Sequence, residues 1–354
     1  MDETERSRLR EHLALVSPGT ALRDGLDRIV HGRTGALIVL GRNPEVASLV
    51  TGGFEIDAPL SATALRELAK MDGAILLNEQ LTRITHAGAH LMPDASVPTS
   101  ETGTRHRTAE RVSRQTGVAV VTVSASMSSI ALFLAGARYP LHHPEHLLVR
   151  ANQGLATLTR YRDRLSQAAR HLTSLEIQDT VTVGDVALVA RRLEMVRRLG
   201  SDIDDEVIEL GTDGRLVELQ LQELLTGVEM LASSLARDYG TGEGQLALDR
   251  LRGLATDQLL DQSLVARTIE LVPGSLDARV PARGYRQLSQ IGRLPADVAE
   301  RLIDHFGSLQ ALLGASTTEL VSVPEVDYGI ARRLREGLAR LTETSYHAPA
   351  ELPT

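Results

Sequence analysis

The sequence predicts a mixed α/β domain at the N-terminus followed by two all-α regions. Three observations carry this reading. Short apolar runs bounded by glycine alternate with amphipathic stretches as far as His146. From Leu147 onward, leucine, arginine, alanine and glutamate recur at helical spacing. From about Pro281, short helix-like segments come in a repeated pattern. The expected boundaries are 1–146 for the α/β domain, 147–280 for a helical spine, 281–345 for a paired-helix domain and 346–354 for a disordered tail (HAPAELPT at its end). A chain of 354 residues, 42% hydrophobic, has room for two or three such units.

The elements follow in order. Thr34–Leu40 (TGALIVL) reads as a buried strand between Gly32 and Gly41. Ser61–Ala69 reads as a short helix with Ser61 as N-cap. Gly73–Leu77 is an apolar strand closed by the turn residues Asn78 and Glu79. Thr108–Thr116 is helical, with Gly117 as its stop. Val118–Ser124 and Ser129–Leu134 form a hairpin with a serine-rich connection. In the spine, LATLTRYRDRLSQAARHL and VALVARRLEMVRRLG are long amphipathic helices suited to support or oligomer contacts. The segment GTGEGQ (Gly240–Gln245) follows no strand, so it reads as a connector rather than a phosphate loop.

Composition removes several classes. No signal-peptide pattern opens the chain, and its longest apolar runs, such as Val118–Val123, are strand length; no membrane association and a cytoplasmic location are expected. With no cysteine, disulfides and thiolate metal sites are excluded. A net charge of -8 argues against a generally basic surface but leaves room for a local patch. Aromatic residues at 3% leave no stacking platform for single-stranded nucleic acid. Lys70, in LAKMDG, is the sole lysine, so a Walker A loop is excluded and an ATP site must be built another way. Arginine dominance itself is mainly what codon usage in a GC-rich genome produces.

Two segments carry chemistry. Asp72, in Met71-Asp72-Gly73-Ala74, is a lone acid at the start of an apolar strand, where burial is expensive without a partner or a metal. Gly73 and Ala74 leave room for a ligand near the backbone; the competing reading makes Asp72 a turn or helix cap. The second segment, Gly103-Thr104-Arg105-His106-Arg107-Thr108, gathers donors at a helix N-terminus, where free N–H groups and the dipole favour an anion. The competing reading is a solvated polar turn. Together, an acid for a divalent cation and a cationic cradle describe phosphoryl transfer. The residues alone reach nucleotide or phosphate chemistry and stop there.

MDGA followed about thirty residues later by GTRHRTAER resembles the diadenylate cyclase family, whose signature segments are DGA and RHR. PGTALRDGLDRI, GRTGALIVLG, FEIDAPLSATALRELAKMDGAI and VPTSETGTRHRTAERVSRQTG are also similar. So are RANQGLATLTRYRDRL, LEIQDTVTVGDVALVARRLEMVRRL and ELGTDGRLVELQL, so the resemblance covers nearly the whole chain. The domain order resembles the DNA-scanning branch of the family rather than its membrane-anchored cyclases.

The resemblance implies that two ATP are condensed into cyclic di-AMP and two pyrophosphates with Mg²⁺ or Mn²⁺. Asp72 would hold the metal and help activate the ribose 3′-hydroxyl. Gly73 and Ala74 would line the nucleotide, with Leu91 beside adenine. Gly103 belongs to the phosphate-side motif. Thr104, Arg105, His106, Arg107 and Thr108 would contact phosphates and the subunit interface, and Ser124 would touch the phosphates. The family assembles as a homo-octamer of two facing tetramers. One departure is Ala125-Ser126-Met127-Ser128, where the family often carries charge; phosphate affinity is then weaker or supplied elsewhere.

Leu288–Leu341 resembles a tandem helix-hairpin-helix domain, which grips DNA backbone through N–H groups of a glycine-containing hairpin. The first hairpin, Ile291-Gly292-Arg293-Leu294-Pro295, keeps one glycine and one arginine. The second has Glu325-Val326-Asp327 in place of glycine–hydrophobic–glycine, which should repel phosphate and remove glycine flexibility. From Arg286 to the end there are seven arginines against nine acids, a poor footprint for DNA, although Arg332, Arg333 and Arg335 remain candidates for phosphate contact. The expectation is a retained fold with weakened binding of branched double-stranded DNA. DNA recombination proteins are possible partners, and a nucleoid association would follow. The rival readings are a cyclase that has lost the DNA link and a checkpoint protein whose site only senses ATP.

Weaker signals are set aside. His142, His143 and His146 with Glu145 match no standard zinc spacing, and with Pro144 as a helix breaker they read as a surface loop. His86 and His90 read as ordinary strand or loop residues. Glu110 is expected to pair with Arg105, Arg107 or Arg114.

Overall fold

The computed structural model describes residues 3–240, 246–271, 275–292 and 294–346; the connector 241–245, Arg293 and the tail 347–354 lie outside them. The chain divides into two compact units. One holds Met1–Gln153 and Ile203–Gln220, the other Gly154–Asp202 and Leu221–Thr354.

The first unit opens with α1 (Glu3–Leu15) and α2 (Ala21–His31), then β1 (Ala36–Val39), α3 (Pro44–Leu49), β2 (Val50–Thr51) and β3 (Phe54–Pro59). There follow α4 (Ala62–Leu68), β4 (Ala74–Leu77), β5 (Arg83–Leu91), α5 (Thr104–Thr116), β6 (Val120–Ser124), β7 (Ser129–Leu134) and β8 (Ala137–Leu141). The sheet is mixed, ordered β2-β5-β4-β1-β6-β7-β8, with β3 on β5. β1 runs parallel to β4 and antiparallel to β6.

Strand periodicity decides what each face meets. Ile38, Ile75, Leu77, Val121 and Leu132 pack with Leu22, Leu26 and Ile29 of α2 and Leu65 of α4. Leu37, Val39, Leu76, Val120 and Phe133 face the other way, onto Val46 and Leu49 of α3 and Ala109 and Val112 of α5. Both faces are covered, so β1, β4 and β6 are wholly apolar apart from Thr122 and Ser124. Ser61 accepts the Ala64 N–H and starts α4. Gly117, at φ 68°, ends α5.

Three helices contribute to both units: α6 (Pro144–Ile177), α7 (Val183–Leu210) and α8 (Arg215–Leu225). Pro144 opens α6 rather than breaking it, because proline at the first helical position gives up an N–H that has no partner there anyway. His146 is therefore helical, not part of a loop. His142 contacts Glu209 at 3.2 Å.

In the second unit, α8 (Arg215–Leu225, its last turn) leads to α9 (Val228–Tyr239), α10 (Gln262–Thr268) and α11 (Tyr285–Ser289). A buried polar network joins α6, α9 and α11. Asp238 accepts the N–H groups of Gly284 at 2.7 Å, Tyr285 at 2.6 Å and Arg286 at 2.9 Å. Glu176 accepts from the Tyr239 hydroxyl at 2.6 Å and the Arg286 guanidinium at 2.8 Å. Each buried carboxylate thus has several donors, without which it would cost several kcal/mol. Burial still pushes the Glu176 carboxyl up to about 7.

The chain closes with α12 (Ala296–Phe306), α13 (Leu309–Gly314), α14 (Thr317–Val321) and α15 (Tyr328–Tyr346). Leu302, Ile303, Leu312, Leu320, Val323, Val326 and Leu334 form their common core. α14 and α15 are joined by a short turn; the first expected hairpin, Ile291–Pro295, includes Arg293, which lies outside the described residues.

Candidate active site

The strand register brings the candidate residues to one end of the sheet. Ala36 of β1 pairs with Val123 of β6, so Gly35 and Ser124 are neighbours beyond that rung. Ala74 of β4 pairs with Ala89 of β5, which places Asp72 and Gly73 beside the end of β5, where Leu91 sits. Arg105 completes the link. A Cβ on Gly35 would fall 2.6 Å from its Nη1, and its guanidinium lies 3.9 Å from Asp72 Oδ1. The β1 and β6 ends, the β4 turn and the start of α5 therefore share one surface.

Asp72 corrects an expectation. It sits in the turn before β4, and its side chain is 94% exposed rather than buried. No burial penalty has to be offset. Its Oδ1 accepts the Gly73 N–H at 3.1 Å. Gly73 has φ 110°, and a Cβ there would meet the Gly88 carbonyl carbon at 2.6 Å, so glycine is required twice over. That close packing of the turn on β5 holds Asp72 out toward solvent. Among the described residues no group of three His, Asp or Glu side chains could surround an ion. A lone exposed carboxylate fits a hard cation that keeps most of its waters and takes further oxygens from substrate phosphate.

Helix α5 starts at Thr104, four residues earlier than the sequence pattern indicated. The Thr104-Arg105-His106-Arg107 run is the first helical turn, closed by Arg107 N–H on Gly103 O at 2.8 Å. Polar side chains hid the helix because its apolar face begins only at Ala109. Gly103 supplies no side-chain cap, so the helix start is left to water or a ligand. Two residues turn a helix by about 200°, so Arg105 and Arg107 diverge and do not form one cradle. Arg105 faces Asp72; Arg107 is exposed. His106 is half-buried, edge-on to Phe133 at 6.1 Å. Burial first, then the nearby Arg138 charge, lowers its pKa and so disfavours the charged ring. Thr108 is half-buried on the next turn and Ala74 is buried.

Ser124 is buried and ends β6. Its hydroxyl meets Ser126 Oγ at 3.3 Å and accepts the Met127 N–H at 3.4 Å. Leu91 is buried at the end of β5, paired with Val50, and the Met92 N–H bonds Leu49 O. His86 and His90 are β5 residues. Gly35 escaped the sequence reading although GRTGALIVLG carried its signal, a glycine immediately before a buried strand. Glu110 pairs with Arg114, one of its three expected partners, at 3.0 Å.

The second hairpin of the C-terminal helices has been closed by its own acids. Glu325 has φ 65°, so the turn keeps a left-handed residue without glycine, and its carboxylate meets Arg301 at 2.5 Å. Val326 is buried in the core. Asp327 accepts the Ile330 N–H at 2.7 Å. Arg332 pairs with Glu336, and Arg335 donates to Ala315 O, which leaves Arg333 of the three candidate arginines without a bond of this kind among the described residues.

The fold is an α/β domain followed by a long helical region, and comparison with known proteins gives its family. Residues 23–138 match the family model "DisA bacterial checkpoint controller nucleotide-binding", and residues 141–275 match "DisA bacterial checkpoint controller linker region". The chain is 53% identical over 343 residues to the DNA integrity scanning protein DisA of Parafrankia sp. (strain EAN1pec), covering 95% of this chain and 96% of that one. It is 53% identical over 352 residues to the DisA of Acidothermus cellulolyticus, covering 97% and 96%. It is 50% identical over 346 residues to that of Streptomyces coelicolor, covering 95% and 92%. The chain belongs to the DisA family. No helix among the described residues is long and apolar enough to cross a membrane.

Proposed function

We propose that the chain is a diadenylate cyclase that joins two ATP into cyclic di-AMP and two pyrophosphates. The observation that carries this is the single surface shared by exposed Asp72, Arg105 and the uncapped start of α5. An open helix start with an arginine beside it is built for phosphate, and a carboxylate 3.9 Å from that arginine sits where a metal–phosphate pair would be held.

In this reading Gly73 and Ala74 let the nucleotide approach the backbone, and Leu91 lies on the adenine side. Gly103, Thr104, Arg105 and Thr108 take phosphate oxygens, and Ser124 adds a hydroxyl. His106 orients the helix start, and exposed Arg107 serves a facing subunit. Each ribose 3′-oxygen bonds to the α-phosphorus of the opposite ATP, the α–β phosphoanhydride bond breaks, and pyrophosphate leaves with the electron pair. Mg²⁺ or Mn²⁺ at Asp72 would supply charge neutralisation and acidify the 3′-hydroxyl. Two sites must face each other, so proximity is the main device; an octamer of facing tetramers provides it. The 1–146, 147–280 and 281–345 division then separates catalysis, spine and a DNA-directed module. Branched DNA, DNA recombination proteins and the nucleoid are its expected partners and place.

One observation favours a second reading, a cyclase that has lost its DNA link: Asp327 and Glu325 occupy their own hairpin. Incubation with ATP and Mn²⁺ or Mg²⁺, followed by mass spectrometry beside Asp72→Asn, tests the main reading. Cyclic di-AMP from the wild type and none from the variant is the expected outcome. No product from either, with ATP bound, would replace it with a nucleotide sensor.

A further inference from the structure

The segment between Leu91 and Gly103 connects the two ends of the candidate nucleotide site, and one face of α5 holds it. Glu110 is buried, 3% exposed. Its Oε2 accepts from the Thr99 hydroxyl at 2.6 Å, the Ser100 N–H at 3.0 Å and the Glu101 N–H at 3.3 Å. Its Oε1 accepts from Arg114 at 3.0 Å. Arg114 also donates to Pro98 O at 2.7 Å. Arg111 donates to Val97 O at 2.9 Å and Ala95 O at 3.1 Å, and the Gln115 side chain accepts the Asp94 N–H at 3.0 Å. Positions 110, 111, 114 and 115 fall on one helical face, so the segment is read off along α5 almost residue by residue.

We propose that this face is a ruler that fixes the spacing between the base side and the phosphate side of the site, with Glu110 as the positioning residue at its centre. The inference rests on the cyclase reading, which puts adenine near Leu91 and phosphate at the start of α5. A ligand held at both ends gains from its linkage only when the two subsites keep the matching separation. Glu110 touches neither end. It acts through the Thr99–Glu101 backbone, two residues before Gly103. Burial pushes its carboxyl up, but the Thr99 hydroxyl, the Ser100 and Glu101 N–H groups and then the Arg114 charge outweigh it and hold the carboxyl below the usual range, so the clamp is ionised at neutral pH. Glutamine cannot replace it, because its amide would face the Arg114 guanidinium and leave a donor without an acceptor.

The test compares three probes in the full-length protein: ATP, adenosine and inorganic tripolyphosphate, titrated calorimetrically into wild type, Glu110→Gln and Thr99→Ala. ATP affinity is expected to fall about tenfold in Glu110→Gln and about threefold in Thr99→Ala, while both fragments keep their affinities to within about twofold. A folded Glu110→Gln that binds ATP like the wild type would overturn the proposal. So would parallel loss of both fragments, which means local collapse rather than lost spacing. If Glu110→Gln does not fold, Thr99→Ala decides by the same criterion. Wild-type protein that binds no ATP would sink the cyclase reading and this one together; wild-type product with unchanged binding in both variants sinks this one alone.

Discussion

Helix α5 begins at Thr104 behind Gly103, with no side chain over its free N–H groups and with Arg105 beside the opening. Helix α15 begins at Tyr328 behind Asp327, whose carboxylate already accepts the Ile330 N–H at 2.7 Å. The backbone donors and the dipole are the same at both helix starts. What differs is the residue placed before the first turn. Glycine leaves the donors to an external anion; aspartate supplies an internal one and stabilises the helix by about 1 kcal/mol. The acids extend further in the C-terminal helices, where Arg301 is held by both Asp297 and Glu325. The Arg301 cation is neutralised within the protein.

The comparison breaks most sharply if the open start is not where phosphate binds. If the cyclase reading holds, Arg105→Ala is expected to lower cyclic di-AMP formation by about 10²-fold or more, since it would remove a charge-assisted donor to the transferring phosphate. Arg105 is exposed and supports no core, so thermal unfolding should hardly move. Full activity in Arg105→Ala would mean that α5 is not the phosphate end.

A milder change tests position rather than presence. Gly35→Ala puts a methyl 2.6 Å from Arg105 Nη1 and 3.3 Å from Val123 O. The guanidinium end can swing away at small cost in stability, and in doing so it leaves Asp72. Product formation should fall about tenfold with unfolding little changed, because a shift of about an ångström in a positioned group costs that much or more. Unchanged turnover would show that the Arg105 placement is not used.

Much of this architecture was legible because strand and helix periodicities are strong in apolar segments. β4, β6, β7, the Ser61 cap and the Gly117 stop follow directly from residue pattern. The start of α5 did not, because a helix whose first turn is Thr-Arg-His-Arg shows no apolar face until Ala109. Asp72 drew attention for the wrong reason: its position beside an apolar strand implied burial, whereas the tight Gly73 turn holds it outside. Glu110 was legible as a partner of a nearby arginine but not as the acceptor of Thr99, Ser100 and Glu101, since nothing in a linear pattern announces three donors from a loop nine to eleven residues back. The closure of the second hairpin was half legible. The acids stood out, but their internal partners Arg301 and Ile330 did not.

Opening α15 is the converse experiment. Asp327→Gly removes the cap and one negative charge from the turn. Binding of a branched duplex, followed by gel shift at fixed salt, should tighten about fivefold, a modest gain because Glu325 remains. The helix should lose about 1 kcal/mol of local stability, visible as faster hydrogen exchange at the Ile330 amide. Unchanged DNA affinity with faster exchange would mean that α15 is a structural helix start only, and that any DNA contact lies elsewhere in the module.

The smallest expected effect separates charge from backbone shape. Glu325 holds φ at 65°, a conformation that costs a non-glycine residue about 1–2 kcal/mol. Its exposed pair with Arg301 returns about 0–1 kcal/mol at most. Glu325→Gly should therefore be neutral to slightly stabilising for the full chain, by less than about 1 kcal/mol, even though it deletes an ion pair. If the variant instead loses stability by more than that, the pair with Arg301 contributes more than an exposed bridge normally does, and the acids of this turn are there to hold the helices together. If it gains stability, the sequence has kept a strained acid where glycine would fit better. Retention at a cost points to a use for the negative charge itself, namely keeping phosphate away from this hairpin.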